Sequence, residues 1–291
     1  NDASGTDADV TIDNGTTALV IAASTIDGDL TLLGGNASGI TDSGTVTVGG
    51  NFAATTDANN GVINMGTLAV DGTIALTTDG NGAATVVNDA GLAFAASTVT
   101  GALSATATTG NITQSGVLTI SGTTTLVTSA NDATITLGSA NVFTGALTIT
   151  TNDASGTDAD VTIDNGTTAL IIAASTIDGD LTLTGGNSSG IIDSGDVTVG
   201  GNFSATTDDN SGVINMGTLE VDGTIALTTN GNGAATVVND AGLAFAASTV
   251  TGALSATATT GNITQSGVLT ISGTTTLVTS ANDATITLGS A

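Results

Sequence analysis

The chain has no lysine, arginine or histidine, no cysteine, no proline, no tryptophan and no tyrosine. Each absence removes a class of function. Phosphate backbones are gripped largely by Lys and Arg, so a nucleic-acid partner is excluded. An anionic membrane surface is disfavoured on the same ground. Without His, Lys, Cys, Tyr or Arg there is no base poised near neutral pH, no activated nucleophile and no cationic stabiliser for an oxyanion. Paired aspartates can in principle hydrolyse a glycosidic bond, but five Phe are the only aromatic residues and give no platform for a sugar. The expectation is a protein that is not an enzyme. Lack of Cys rules out a disulfide framework, and lack of Pro leaves nothing to interrupt a hydrogen-bonded ladder. No apolar run reaches the length of a membrane helix, so no insertion is expected in this segment. Asn1 does not open a signal peptide; an export signal would lie outside this sequence.

What is present is acid and alternation. The 291 residues carry 26 acidic side chains, of which only Glu220 is glutamate, for a formal charge of -26. High charge with low hydrophobicity would signal disorder, but 40% of the residues are apolar, enough to build a core. They are Val, Ile, Leu and Ala alternating with Thr, a period of two that marks half-buried strands. Ser43 to Thr78 shows the pattern plainly, with Gly44 leading TVTV, Gly50 leading NFAA, Gly66 leading TLAV and Gly72 leading TIAL. Turns between strands are built from Asp, Asn, Gly and Ser, which tolerate left-handed backbone and form side-chain turns. No segment carries the 3.6-residue period of an amphipathic helix.

Two repeats are superposed on this pattern. Residues 152–291 match 1–140 at an offset of 151 with 10 differences, all before position 80, while residues 141–151 (NVFTGALTITT) occur once. Thr45→Asp196, Ala53→Ser204 and Ala69→Glu220 fall at steps after a glycine that should face solvent; Val20→Ile171 is a conservative swap, and Thr41→Ile192 fits the alternation less well. Within the unit, strand-leading glycines at Gly28, Gly50, Gly72, Gly101, Gly122, Gly145 and Gly179 are spaced 22, 22, 29, 21, 23 and 34 residues apart. The two long steps hold similar inserts, Ala95-Ala96-Ser97-Thr98-Val99 and Ala173-Ala174-Ser175-Thr176-Ile177. Coils of this length cannot bury an apolar face alone and must stack. The pattern predicts an all-β fold, a right-handed parallel β-helix (β-solenoid) with about six coils per 151-residue repeat. Residues 1–151 form one repeat unit and 152–291 a second, near-identical copy lacking the last 11 residues, in one continuous solenoid. Tandem β-sandwich domains are the alternative all-β reading.

Oxygen ligands are the only candidate site chemistry. Asp7, Asp9 and Asp13 fall in one long coil, with Asp158, Asp160 and Asp164 in the second copy; Asp27 and Asp29 flank Gly28, as Asp178 and Asp180 flank Gly179. Calcium takes six to eight oxygens, and turns of adjacent coils could supply them, although neither the calcium β-roll nonapeptide nor the EF-hand spacing is present. Solvated turn aspartates are the plainer reading of the same residues. No other cofactor is implied. Outward Thr positions also raise an ice-binding face, but the column Thr73/Ala75, Ala102/Ser104, Thr123/Thr125, Ala146/Thr148 is not regular.

Gly101-Ala-Leu103-Ser-Ala, continued by Asn111 and by Ser115-Gly116-Val-Leu118-Thr-Ile120-Ser-Gly122, resembles the haemagglutinin repeats of filamentous-haemagglutinin-like exoproteins, the large two-partner-secretion adhesins of bacteria. Gly28-Asp-Leu30-Thr-Leu32 with Ser43-Gly44-Thr-Val46-Thr-Val48-Gly49 carries the same likeness. The resemblance implies a β-helix shaft, secretion, and a role in attachment or biofilm. The near-identical copies point to a more uniform, filament-forming relative. The function expected is therefore that of an extracellular structural fibre or shaft in the cell surface or biofilm matrix, partnered by further copies of itself end to end or laterally. A repeat adhesin binding host or surface polymers, surface polysaccharide among them, is the alternative.

Overall fold

The computed structural model describes residues 8–57, 59–152, 158–208 and 210–289. Among them are 36 strands and no helix, and the strand pairings are parallel. The chain is a parallel β-solenoid of about 13 turns, and it divides into two compact units, Asn1–Gly145 and Ala146–Ala291.

The first unit runs β1 (Val10–Asp13), β2 (Leu19–Ile21), β3 (Ser24–Ile26), β4 (Leu30–Gly34), β5 (Ile40–Asp42), β6 (Val46–Val48), β7 (Phe52–Thr56), β8 (Ile63–Val70) and β9 (Thr73–Thr77). It continues with β10 (Ala84–Asn88), β11 (Leu92–Phe94), β12 (Ser97–Val99), β13 (Leu103–Ala107), β14 (Ile112–Gln114), β15 (Leu118–Ile120), β16 (Thr124–Thr128), β17 (Ile135–Leu137) and β18 (Val142–Phe143). Most turns give one sheet a straight strand and the other a bent pair of two- or three-residue strands. The first sheet stacks β1, β4, β7 and β9 as straight rows, then β11/β12, β14/β15 and β17/β18 as bent ones. In the second sheet the order is reversed: β2/β3 and β5/β6 are bent, β8 joins both halves in eight residues, and β10, β13 and β16 are straight.

This exchange of roles explains the uneven glycine spacing. Gly28, Gly50 and Gly72 lead straight strands of the first sheet, whereas Gly101 and Gly122 lead straight strands of the second. What reads as one column is two, and the 29-residue step from Gly72 to Gly101 covers one and a half turns. The intervening row is led by Gly82, whose carbonyl accepts the Gly101 N–H at 2.8 Å. Among the described residues of this unit, the first sheet shows seven rows.

Inward residues pack in columns along the stack. Leu30, Phe52, Ile74 and Phe94 lie in register and are all buried. Leu32, Ala54 and Leu76 form the next column, a small residue between two large ones. Outward positions carry the drift between copies. Nine of the 10 differing positions fall among the described residues, and none is buried in either copy. Thr41→Ile192 also finds its reason here. Position 41 is the ladder partner of position 20, so Val20 beside Thr41 becomes Ile171 beside Ile192, an apolar pair on the outer face.

Candidate functional site

Four of the aspartates singled out as ligands, Asp9, Asp29, Asp160 and Asp180, sit where successive turns meet, and their carboxylates accept main-chain N–H groups. Asp29 donates its N–H to Asp9 Oδ1 at 2.8 Å. Asn51 N–H reaches Asp29 Oδ1 at 2.6 Å, and Thr73 N–H reaches Asn51 Oδ1 at 2.9 Å. The Asn51 amide nitrogen also bonds Asp29 Oδ1 at 3.2 Å, and the Thr73 hydroxyl joins Asn51 Oδ1 at 2.8 Å. Each residue is the one that begins its row, so a column of side chains ties turn to turn. The second unit repeats it through Asp160, Asp180, Asn202 and Thr224, with N–H to oxygen distances of 2.8, 2.7 and 2.9 Å. Hydrogen bonds from N–H to a carboxylate are stronger than neutral ones, which makes this column a fastening of the turns.

The remaining candidates are placed apart from it. Asp13 and Asp164 each accept the N–H of the glycine two residues on, Gly15 and Gly166, at 2.8 Å. Both glycines have positive φ, the left-handed geometry such a turn needs. Asp178 donates its N–H to Thr151 Oγ1 at 3.0 Å. Asp158 accepts the Asp160 N–H through its carbonyl at 2.9 Å. Asp27 offers its carbonyl side to Gly49, where an added Cβ would meet the oxygen at 2.5 Å. Asp7 lies outside the described residues. Among the described residues, no three carboxylates converge in a cage that could hold a metal.

Three polar devices at the exchange of sheets carry no signal of a ligand. Asn88 is buried, and its side chain accepts the Val70 N–H at 2.8 Å while donating to Val70 and Gly91 carbonyls at 3.1 and 2.6 Å. Asn239 does the same for Val221 and Gly242. Ser97, in the insert of the long step, accepts the Leu76 N–H at 3.1 Å where the bent row leaves no carbonyl for it. Asp42 spans the irregular register of β8, accepting Gly66 and Thr67 N–H groups at 3.0 and 2.7 Å. The signal for Asn88 is its phase: it stands at an inward position of Ala84-Thr-Val86-Val-Asn88.

The surface grooves are shallow. One of about 260 Å³ is lined by Thr45, Gly66, Thr67, Leu68, Val87, Asp89 and Thr108. Its counterpart in the second unit, about 290 Å³, is lined by Asp196, Thr218, Glu220 and Asp240 among others. Two of the ten differences thus turn one groove from singly to triply acidic. Within it Glu220 meets the Thr198 hydroxyl at 3.4 Å, and Asp240 accepts the Thr259 hydroxyl at 2.8 Å.

The family model for repeats of unknown function, DUF5649, matches residues 7–65, 81–150 and 232–291, well over half of the chain. The chain belongs to the DUF5649 repeat family. Comparison with curated proteins and with solved structures gives no match. The DUF5649 segments 81–150 and 232–291 cover all but the first residue of the part of the repeat that recurs without change, 80–140 as 231–291, including the buried Asn88 and Asn239. No described helix is long and apolar enough to cross a membrane.

Proposed function

We propose that this DUF5649 chain is a mechanical element, a stretch of an extracellular fibre or of the shaft of a repetitive bacterial surface protein, without catalytic activity. One observation carries the reading: at the nine described positions where the near-identical copies differ, no side chain is buried, while main-chain ladders join successive turns and the Asp–Asn–Thr column ties four rows of each unit. A protein shaped around a ligand would hold its polar outward groups free to bind; here Asp9, Asp29 and Asn51 bond the next turn, and Asp13 and Asp57 bond their own. Stacked parallel rows spaced about 4.8 Å apart resist extension along the stack, and a chain without Lys or Arg offers trypsin-like proteases no cleavage site. The two-partner-secretion resemblance supports export and a place at the cell surface.

Electron microscopy of the native material, with and without a chelator, tests this. Long uniform filaments with an axial repeat of roughly 4.8 Å are expected. Short monodisperse rods would overturn the fibre, and ordered polymer bound along a groove would favour an adhesin. Loosening by the chelator would assign calcium to the aspartate turns.

A further inference from the structure

One pair of grooves keeps its polar side chains free. It lies at the exchange of sheets, where β11 begins above the turn into β9. Ala93 is the ladder partner of Thr73 on one side and of Thr113 on the other, so the row starting at Leu92 overlies the turn Asp71–Gly72. The resulting groove, about 350 Å³, is lined by Asp71, Gly72, Gly91, Ala93, Asn111 and Thr113 among others. Its counterpart in the second unit, about 320 Å³, has the same nine lining residues, each 151 positions further on. The groove at Thr67 and Leu68, by contrast, gains two carboxylates in the second copy. Buried Asn88 fixes the walls from beneath, bonding Val70 on one side and Gly91 on the other. A site whose walls are set in advance loses little freedom when it is filled.

Asp71 and Asn111 are exposed and Thr113 is half-buried, beside inward Val70 and Ile112. Asn111 and Thr113, two residues apart on an extended segment, share one face. The Asn111 amide is held in place because its Oδ1 accepts the Thr134 N–H at 2.9 Å, and Asn262 does the same for Thr285 at 2.8 Å. Among the described residues its Nδ2, the Asp71 carboxylate and the Thr113 hydroxyl have no hydrogen-bond partner. The groove thus offers an acceptor, a donor and a hydroxyl that does both. Such a set complements a run of hydroxyl groups, each able to donate and to accept. A chain of charge -26 without a cation repels anionic sugars, and a lone carboxylate does not make a calcium cage. No aromatic ring lines the groove, so recognition rests on hydrogen bonds. We propose that each unit carries a subsite for an uncharged saccharide, bound through Asp71, Asn111 and Thr113 in the first and Asp222, Asn262 and Thr264 in the second. The subsite goes beyond the mechanical reading and does not rest on it, and single chains in solution test it whether or not filaments form.

Cellotetraose, maltotetraose and mannotetraose are the probes, each titrated into the full nitrogen-15-labelled chain, with a sulfated tetrasaccharide as control. At least one uncharged probe is expected to shift the Asn111 and Asn262 side-chain amide resonances saturably, with Kd on the order of 1 mM. The amides of Asn51 and Asn202, already engaged by Asp29 and Asp180, should not respond. Asp71→Ala weakens binding at Asn111 by about tenfold or more and leaves Asn262 unchanged, so the second groove reports in the same molecule that the fold is intact. Asp222→Ala gives the converse. No saturable shift with any of the three probes, a shift at Asn111 that survives Asp71→Ala undiminished, or equal binding of the sulfated control would overturn the proposal.

Discussion

Thr124 is fully buried, and among the described residues its hydroxyl has no hydrogen-bond partner. A desolvated hydroxyl left unpaired costs about 1–3 kcal/mol, and valine has nearly its shape. Thr124→Val is therefore expected to stabilise the first unit by about 1–2 kcal/mol. Its denaturant midpoint checks this; a loss of stability would show that the hydroxyl is satisfied. Glycines differ among themselves. A Cβ at Gly122 would meet the Gly101 carbonyl at 2.5 Å and the Ala102 nitrogen at 2.6 Å, whereas at Gly138 it would meet nothing within 4 Å. Forcing the rows apart should make Gly122→Ala cost about 1–3 kcal/mol, with Gly138→Ala near neutral, by the same midpoints. Asp57 brings in pH. The Asn59 side chain donates to its carboxylate at 2.9 Å and holds its pKa below the ordinary 3.8, helped by main-chain N–H groups of Asn59 and Asn36. Asp208 is pushed up by burial, but hydrogen bonds from Asn210 and Asn187 outweigh this and lower it too. A depressed pKa means a contribution that is complete above 3.8 and lost as pH falls through the folded-state value. The Asn59 and Asn210 amides should thus exchange faster, after correction for intrinsic rates, once pH drops below that range. The variants Asp57→Asn and Asp208→Asn should abolish the dependence.

At the scale of elements, the exchange between straight and bent rows is held by few groups. Asn88 supplies an acceptor and two donor bonds inside the core, so Asn88→Ala strands the Val70 N–H and two carbonyls in a dry environment. A cost of about 2–4 kcal/mol is expected, with exchange at Val70 accelerated well before the straight rows β13 and β16 respond. Uniform acceleration across the unit would argue that the exchange of sheets is not a local weak point. The same elements show how far the sequence could be read. Alternation in Thr45–Val48 or Thr67–Val70 gave the strands, and the ten differences between copies gave their outward faces, because burial writes itself at period two. Which sheet a strand joins is not written in that period. A 29-residue step is equally a long coil or one and a half turns, and only the register of Ala93 on Thr73 decides it. The ligand reading of Asp9 and Asp29 had the same limit. A carboxylate in a turn gives no sign in the sequence of the N–H 20 or 22 residues further along the chain that it accepts. Asn51, Asn88 and Ser97 are structural groups that composition does not mark, because a side chain that bonds main chain leaves little trace there.

For the whole molecule the governing fact is 26 negative charges with no side-chain cation to pair them. With no side-chain cation in the sequence, repulsion among these carboxylates opposes the folded state and solvent counterions must offset it. Stability should then rise with NaCl at neutral pH, most steeply below about 0.15 M, where the screening length falls to about 8 Å. The two units provide an internal comparison that separates screening of charge from a general salt effect. Around the groove at Thr218–Val221 the second unit places Asp196, Glu220 and Asp240, while the matching groove at Thr67–Val70 in the first has Asp89 alone. The strands beneath are otherwise the same sequence in the same register, Thr198 beside Glu220 in one and Thr47 beside Ala69 in the other. Like charges on neighbouring outward positions destabilise a sheet, and screening relieves them. Between about 0.02 and 0.3 M NaCl, amide exchange at Thr218–Val221 should slow roughly twofold more than at Thr67–Val70. Glu220→Ala, which restores the residue of the first copy, should remove most of the difference. An equal salt response at the two grooves would mean that the added carboxylates are already neutralised, and a bound cation would then have to be sought at that surface.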